Sequence, residues 1–258
     1  MSDDITYYDC NASLGRLRAG CYAPCPTAEE LVAELDWHGV AGALVKHALM
    51  VEQSPVVGNQ ALLDAIAGQP RLWPTWAILP PQPGELGDAA TFFRAMAAAD
   101  VRALWAYPDD HRYLLNRATF GALLDEVAAR RIPLFLPRNA GGPRPPDTYR
   151  LLHELLGDYP ELTVVLTAQG PWGEDRYFRP LLERYPSFYL DLSRYELDQG
   201  LAELVARYGS DRLLYGSHFP ASPMGGPRLM VARAEMPQAA RRAIAGGNLR
   251  RLLEEVQR

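Results

Sequence analysis

The chain holds five histidines and one lysine, and three of these six groups sit where a short apolar run meets a polar turn. Lys46 and His47 close the run "GALVKH", and His218 closes "RLLYGSH". Other reactive or recognition side chains stand at equivalent points. Asn11 and Ser13 follow "ITYYD", Trp105 and Tyr107 lie in "VRALWAYP", Arg138 ends "PLFLPR", Gln169 ends "TVVLTAQ", and Asp191 lies in "FYLDLS". An imidazole at such a turn can act as a general base, and a lysine there offers a compact charge with an adjustable pKa. Lys46 and Arg138 can hold a carboxylate, Arg138 in a two-pronged fork. Asn11, Ser13 and Gln169 can orient a carbonyl, with His47 beside them. Trp105 and Tyr107, two apart on one strand, share a face and can wall an unsaturated ring. Each residue also has a bland reading. Aromatic residues at strand ends are often core, Arg138 can pair with Asp191 as structure, and His218 can simply bond a neighbouring backbone group.

These positions have meaning only if one scaffold gathers them. Eight β-rich runs alternate with helical patterns: 5–9, 42–47, 72–79, 101–108, 133–138, 163–169, 188–193 and 212–218. Several are apolar without alternation, as in parallel strands buried on both faces. Between them lie helical patterns at 27–39, 59–69, 88–99, 117–131, 147–159, 177–185 and 198–209, and a helical C-terminus at 237–258 divided by Gly246-Gly247. Thr27 with Glu30 reads as a capping box, Gly39 as a C-terminal stop, and Asn59 and Asp88 as N-caps. Eight strand–helix units in 258 residues predict an α/β fold, a (β/α)8 TIM barrel in a single domain spanning 1–258. In that fold the C-terminal strand ends form one mouth, so the groups above converge there. His38 and His153 fall inside helices and His111 in a long loop, and all three stand outside the expected set.

Composition excludes other classes. A net charge of −5 gives no basic field for nucleic acid. No apolar run reaches the roughly 20 residues of a membrane helix, and "MSDDITYYD" has no secretory pattern. A cytoplasmic protein is expected, with no membrane partner. Cys10, Cys21 and Cys25 give no disulfide framework. No glycine-rich phosphate loop occurs. Arginine supplies every basic residue but Lys46, a bias against which the surviving lysine stands out.

The segments "YYDCNAS", "ELDWHGVAGALV", "GNQALLDAIAGQPRLWPTWAILP", "YPELTVVLTAQG", "SFYLDLS", "DRLLYGSHFP" and "AGGNLRRLLEE" carry a resemblance that runs nearly the full length. The chain resembles the amidohydrolase-related family of metal-dependent TIM-barrel hydrolases and decarboxylases. The family's "GSDxP" and "GNxxRLL" patterns match in place and order at the last two segments. The family's Asp-x-His-x-His pattern on the first strand, aligned on Asp9, puts Asn11 and Ser13 at the metal-binding histidines. Its strand-five and strand-six histidines fall at Pro137 and Ala168, and its strand-eight aspartate at His218. The expectation is therefore a divergent member with no metal ligands and no cofactor.

Bound zinc lowers the pKa of water from about 15.7 to about 7, whereas a general base contributes only about 10²–10⁴-fold. The sequence thus predicts a metal-independent hydrolase of a small carboxylate-bearing lactone or ester, with His218 as base and Lys46 and Asp191 as its catalytic partners. The alternatives are an inactive binding protein of the same fold, or a decarboxylase or other lyase of unsaturated or aromatic acids. The expected partner is a small anionic substrate, and the resemblance implies a homodimer.

Overall fold

The computed structural model describes residues 5–17, 21–25, 27–169, 174–197 and 199–257. Met1–Asp4, which open the N-terminal stretch read above, and Asp198, the expected start of one helix, lie outside them. Nine strand segments run in chain order: β1 (Tyr7–Leu14), β2 (Val40–His47), β3 (Leu72–Pro74), β4 (Trp76–Ala77), β5 (Leu104–Trp105), β6 (Leu134–Pro137), β7 (Val164–Thr167), β8 (Phe188–Asp191) and β9 (Leu213–Leu214). All pairings are parallel, in the orders β1-β2-β3 and β4-β5-β6-β7-β8-β9. The β3–β4 break is local. Thr75 turns both its N–H (3.1 Å) and its hydroxyl (2.8 Å) onto the Val45 carbonyl, so the two segments form one barrel strand. Cys10 N–H donates to the Tyr215 carbonyl at 3.0 Å and Ser13 N–H to that of Phe219 at 2.9 Å, which closes β9 onto β1. The eight expected strands are thus the staves of a (β/α)8 TIM barrel.

The central strands are apolar on both faces, since they lie between the barrel interior and the helical layer. Leu134, Phe135, Leu136, Val164, Val165, Leu166, Phe188 and Leu190 are all fully buried. Helix α1 (Ala28–Trp37) begins at the predicted capping box. Glu30 N–H donates to Thr27 Oγ1, and Thr27 N–H to Glu30 Oε2. Gly39 then takes φ +63°, which lets the chain leave the helix.

Four sequence expectations require correction. Strand β1 does not stop at Asp9. It runs on to Leu14, so Asn11 and Ser13 are strand residues. The helix placed at 59–69 begins earlier, after the short α2 (Leu49–Glu52), as α3 (Pro55–Ala65) with Ser54 as cap and Pro55 in its first turn. Asn59 lies inside α3 and bonds the Ala77 backbone in both directions, at 2.7 and 3.0 Å. Gly225–Arg233, to which no element was assigned, forms a helix. The Gly246-Gly247 pair does not divide the C-terminal helix but sits in one π-helical turn, Ala243–Gly247, continuous with Asn248–Glu254. A Cβ on Gly246 would come within 2.6 Å of the Tyr8 ring, so the glycine lets this turn press against β1. Among the described residues no helix is long and apolar enough to cross a membrane.

Candidate active site

The C-terminal ends of β1, β2, β7, β8 and β9 meet at one side-chain network. Lys46, near the end of β2, reaches across to β1 and donates to Asn11 Oδ1. The other end of that amide, Asn11 Nδ2, donates to Asp191 Oδ2 on β8 at 2.8 Å. Asp191 is saturated: it also accepts from Ser193 Oγ (2.7 Å), Ser193 N–H (2.8 Å) and Ala168 N–H (3.3 Å). The bond to Ser193 N–H, two residues on, is an Asx-type turn that ends the strand.

Asp9 repeats the device on β1. Its Oδ1 accepts from Asn11 N–H and from Ser217 N–H, both at 2.9 Å. The register of β1 against β2 shifts between Asp9 and Ala12, a bulge that Asp9 caps. Unlike Asp191, Asp9 keeps one oxygen free, for Oδ2 is fully buried with no partner. Gly216 makes room for the Asp191 carboxylate. A Cβ there would collide with Asp191 and stand 3.0 Å from Cys10 Sγ.

Burial sets the electrostatics. It pushes the Asp9 carboxyl up to about 6, against the pull of its hydrogen-bond donors. It also raises Asp191, again against its donors, and takes the Cys10 thiol well above its usual range, which makes it a poor nucleophile. Burial lowers Lys46 to about 8, with Asp191, Asp9 and Cys10 opposing the drop. The ammonium lies 4.0 Å from the Trp105 ring centroid, a cation–π contact that replaces part of its lost hydration. Two groups thus titrate on either side of neutrality in one network.

The remaining predicted residues divide. His218 stands at the mouth with φ +57°, and its buried Nδ1 has no partner. Burial, with Lys46 and Arg194 nearby, takes its pKa down to about 3. The ring is therefore neutral throughout the physiological range and a weak base. Gln169 is fully buried and both atoms of its amide lack partners, as does the Tyr107 hydroxyl. Buried polar groups are normally paired, so these free atoms mark a place for ligand or water. Trp105 and Tyr107 share a face as expected, with centroids 5.7 Å apart and planes 3° from parallel, yet both are buried and Trp105 also packs on Phe135. His111 joins this wall, edge-on to Tyr107 at 5.8 Å, although the sequence reading had set it aside.

Three residues have structural partners. Ser13 Oγ donates to the Phe219 carbonyl at 3.2 Å, and His47 Nδ1 accepts from Leu49 N–H at 3.2 Å. Arg138 pairs with Glu174, at 2.5 Å, and not with Asp191; Tyr149 donates to the other Glu174 oxygen at 3.0 Å. Asp9 was absent from the expected catalytic set. The signal that could have found it was its alignment with the aspartate that opens the family's first-strand motif.

A divalent metal does not fit these residues. Both ends of Asn11 are committed, Ser13 faces a carbonyl, and Pro137 and Ala168 have no side-chain donor. Among the described residues no three His, Cys, Asp or Glu side chains form a group that could hold a metal ion. The positive charge among Asp9, Asn11 and Asp191 is supplied by Lys46.

A family model described as Amidohydrolase matches residues 38–254. The match begins after β1, the strand on which the expected ligands are replaced. No curated protein matches the sequence. Solved structures share the fold at low identity. The 5-carboxyvanillate decarboxylase of Sphingomonas paucimobilis has 15% identity and TM-score 0.73, covering 98% of this chain and 100% of that one. A dihydroxybenzoic acid decarboxylase of Polaromonas sp., with bound manganese and the inhibitor 2-nitroresorcinol, has 18% identity and TM-score 0.74, covering 97% of each chain. The putative 2-pyrone-4,6-dicarboxylic acid hydrolase of Pseudomonas putida has 17% identity and TM-score 0.69, covering 99% of this chain and 100% of that one. The fold, the order of its strands and the extent of the family match agree, and the chain belongs to the amidohydrolase family.

Proposed function

We propose that this protein is a lyase that removes carbon dioxide from a small aromatic or unsaturated carboxylic acid bearing an oxygen substituent, without a divalent metal. The observation that carries this reading is the sole lysine held by Asn11 and Trp105 beside two carboxylates, one of which has a free oxygen. Losing CO2 leaves an electron pair on carbon, and the enzyme must stabilise it and then protonate it. Lys46 supplies a fixed charge for the substrate oxygen that takes up this pair, in a site where preorganised charge is worth more than in water. Asp9 holds the proton for the carbon. Gln169 orients the substrate, and Asp191 fixes Asn11 and so aims Lys46. The decarboxylases that share the fold support the reaction class.

Hydrolysis of a lactone is the second reading, favoured by the likeness to the putative pyrone hydrolase. It assigns the base to His218. A base with a pKa near 3 is mismatched to water activation at neutral pH, which places this reading second. A small anionic ligand, cytoplasmic residence and a homodimer belong to the same proposal; unpaired Cys10, Cys21 and Cys25 support the second of these.

The test is a panel of hydroxybenzoates, oxo acids and lactones, followed for CO2 release and for ring opening with and without chelator. Chelator-resistant CO2 release that falls roughly 10²-fold or more in Lys46→Gln supports the proposal. Lactone opening without CO2 release, abolished in His218→Asn, would transfer the assignment to the second reading.

A further inference from the structure

We infer that Lys46 is a covalent catalyst: its amine condenses with the ketone of a 3-oxo acid, and the resulting iminium is the electron sink for decarboxylation. The inference rests on the proposed lyase reading and extends its substrate class to 3-oxo acids, whose enol form is an unsaturated acid bearing an oxygen. A metal-free site needs some sink for the electron pair that CO2 leaves behind, and a protonated imine is stronger than an ammonium held at hydrogen-bond distance.

The geometry provides what an imine-forming amine requires. Nζ is held in place by Asn11 and lies over Trp105, away from bulk water, so its desolvation favours the uncharged nucleophile. The lowered Lys46 pKa, about 8, agrees with this placement. Lys46 as a whole is half-buried, with its ammonium at the buried end. Asp9 has one oxygen bound and one free, the arrangement of a group that takes and gives a proton. Asn11 carries no charge. A carboxylate in its place would hold Lys46 as an ammonium.

The steps balance. The free Lys46 amine adds to C3 of the oxo acid, one N–H proton and the Asp9 proton pass to the carbonyl oxygen, which leaves as water, and a C3=N iminium forms opposite an Asp9 carboxylate. The bond between C2 and the carboxylate breaks, and its electron pair moves into C2=C3 while the C=N pair returns to nitrogen, giving an enamine and CO2. Asp9, reprotonated from solvent, donates that proton to C2 and restores the iminium. Water adds to C3, the ketone departs, and Lys46 is an amine again. No redox change is needed; the proton released on hydrolysis returns to Asp9, and the one proton consumed overall comes from solvent.

The uniqueness of Lys46 makes the test direct. The full-length protein is incubated with acetoacetate or benzoylacetate, CO2 is measured, and a parallel sample is treated with borohydride and mapped by peptide mass. The inference predicts CO2 release and a reduced adduct on Lys46, with the mass of an isopropyl group when acetoacetate is used. The adduct must be separable from any on the N-terminal amine. It must vanish in Lys46→Arg, which keeps the charge, and in Lys46→Gln, with circular dichroism showing both variants folded. CO2 release without a Lys46 adduct would overturn the inference and leave the lyase reading standing. An adduct without CO2 release would show an imine-forming amine but overturn its role as electron sink, and the hydroxybenzoate arm would decide the lyase reading. Neither product from either acid would overturn the inference, and the hydroxybenzoate arm of the wider panel would then decide the lyase reading separately.

Discussion

Asn11 joins Lys46 to Asp191: its amide oxygen accepts from the lysine while its amide nitrogen, at 2.8 Å, donates to the carboxylate. A side chain that is acceptor at one end and donor at the other sets the orientation of both partners. It also separates cation from anion by a neutral amide, so they do not collapse into a direct ion pair. Replacing Asn11 by aspartate puts an anion next to the ammonium. The lysine is then held charged to higher pH. Asn11→Asp is expected to move the alkaline limb of the pH–rate profile upward, and to lower activity at neutral pH by about tenfold or more. A profile superimposable on wild type would show that Asn11 does not tune Lys46.

The pH dependence follows from the same pair. Asp9 titrates at about 6 and Lys46 at about 8. In the imine route the productive state is the free Lys46 amine beside a protonated Asp9, one proton between the two groups, so kcat/KM is greatest between those values. It falls below about 6, where both are protonated, and above about 8, where both have lost the proton. The two limbs belong to the coupled pair and not to one residue each. Initial rates across pH 5–10 check this, and a single sigmoid with a midpoint near 10 would contradict it.

His218 enters the stability of the fold through its suppressed charge. Its folded pKa, about 3, lies far below its ordinary value of 6.5. The unfolded chain therefore binds a proton that the folded chain refuses, and stability falls as pH drops below 6.5. His218→Asn removes this contribution and keeps a residue that tolerates φ +57°. Urea midpoints at pH 7.5 and 5.0 should drop less in the variant than in wild type. Asp9 acts in the opposite sense, since its raised pKa favours the folded state at low pH, and it does so equally in both proteins. An equal drop would show that His218 titrates normally.

Gly216 leaves the space that Asp191 and Cys10 occupy. Gly216→Ala drives a methyl group into Asp191 and toward Cys10 Sγ, both packed in the closed β8–β9–β1 seam. The expected cost is about 1–3 kcal/mol of stability, as for other overpacked cores, with activity lost along with the Asp191 position. A variant as stable and active as wild type would show that the seam yields.

The fold was legible because strand and helix periods repeat along the chain, and eight staves demand closure. The convergence of Lys46, Asn11, Asp191 and His218 was legible for the same reason, since inward-facing residues toward the C-terminal ends of barrel strands share one mouth. What a side chain bonds there was not. Arg138 meets Glu174, 36 positions away, through the packing of two strand ends and a helix start, and no local pattern announces that pair. The free oxygen of Asp9 depends on a bulge and on a backbone N–H from 208 positions away. Asn59 looked like a cap because a good cap residue precedes an apolar run. The Ser54-Pro55 pair four to five residues earlier was the stronger start, and Asn59 serves the Ala77 backbone.

The central claim is that Lys46 is a desolvated, functional amine, and its own titration tests it most directly. With carbon-13 at the ε position of lysine the protein gives one lysine signal, because the chain has one lysine. Its chemical shift, followed from pH 6 to 11, is predicted to move with a midpoint near 8. A midpoint near 10.5, the value of a free lysine, would contradict the account.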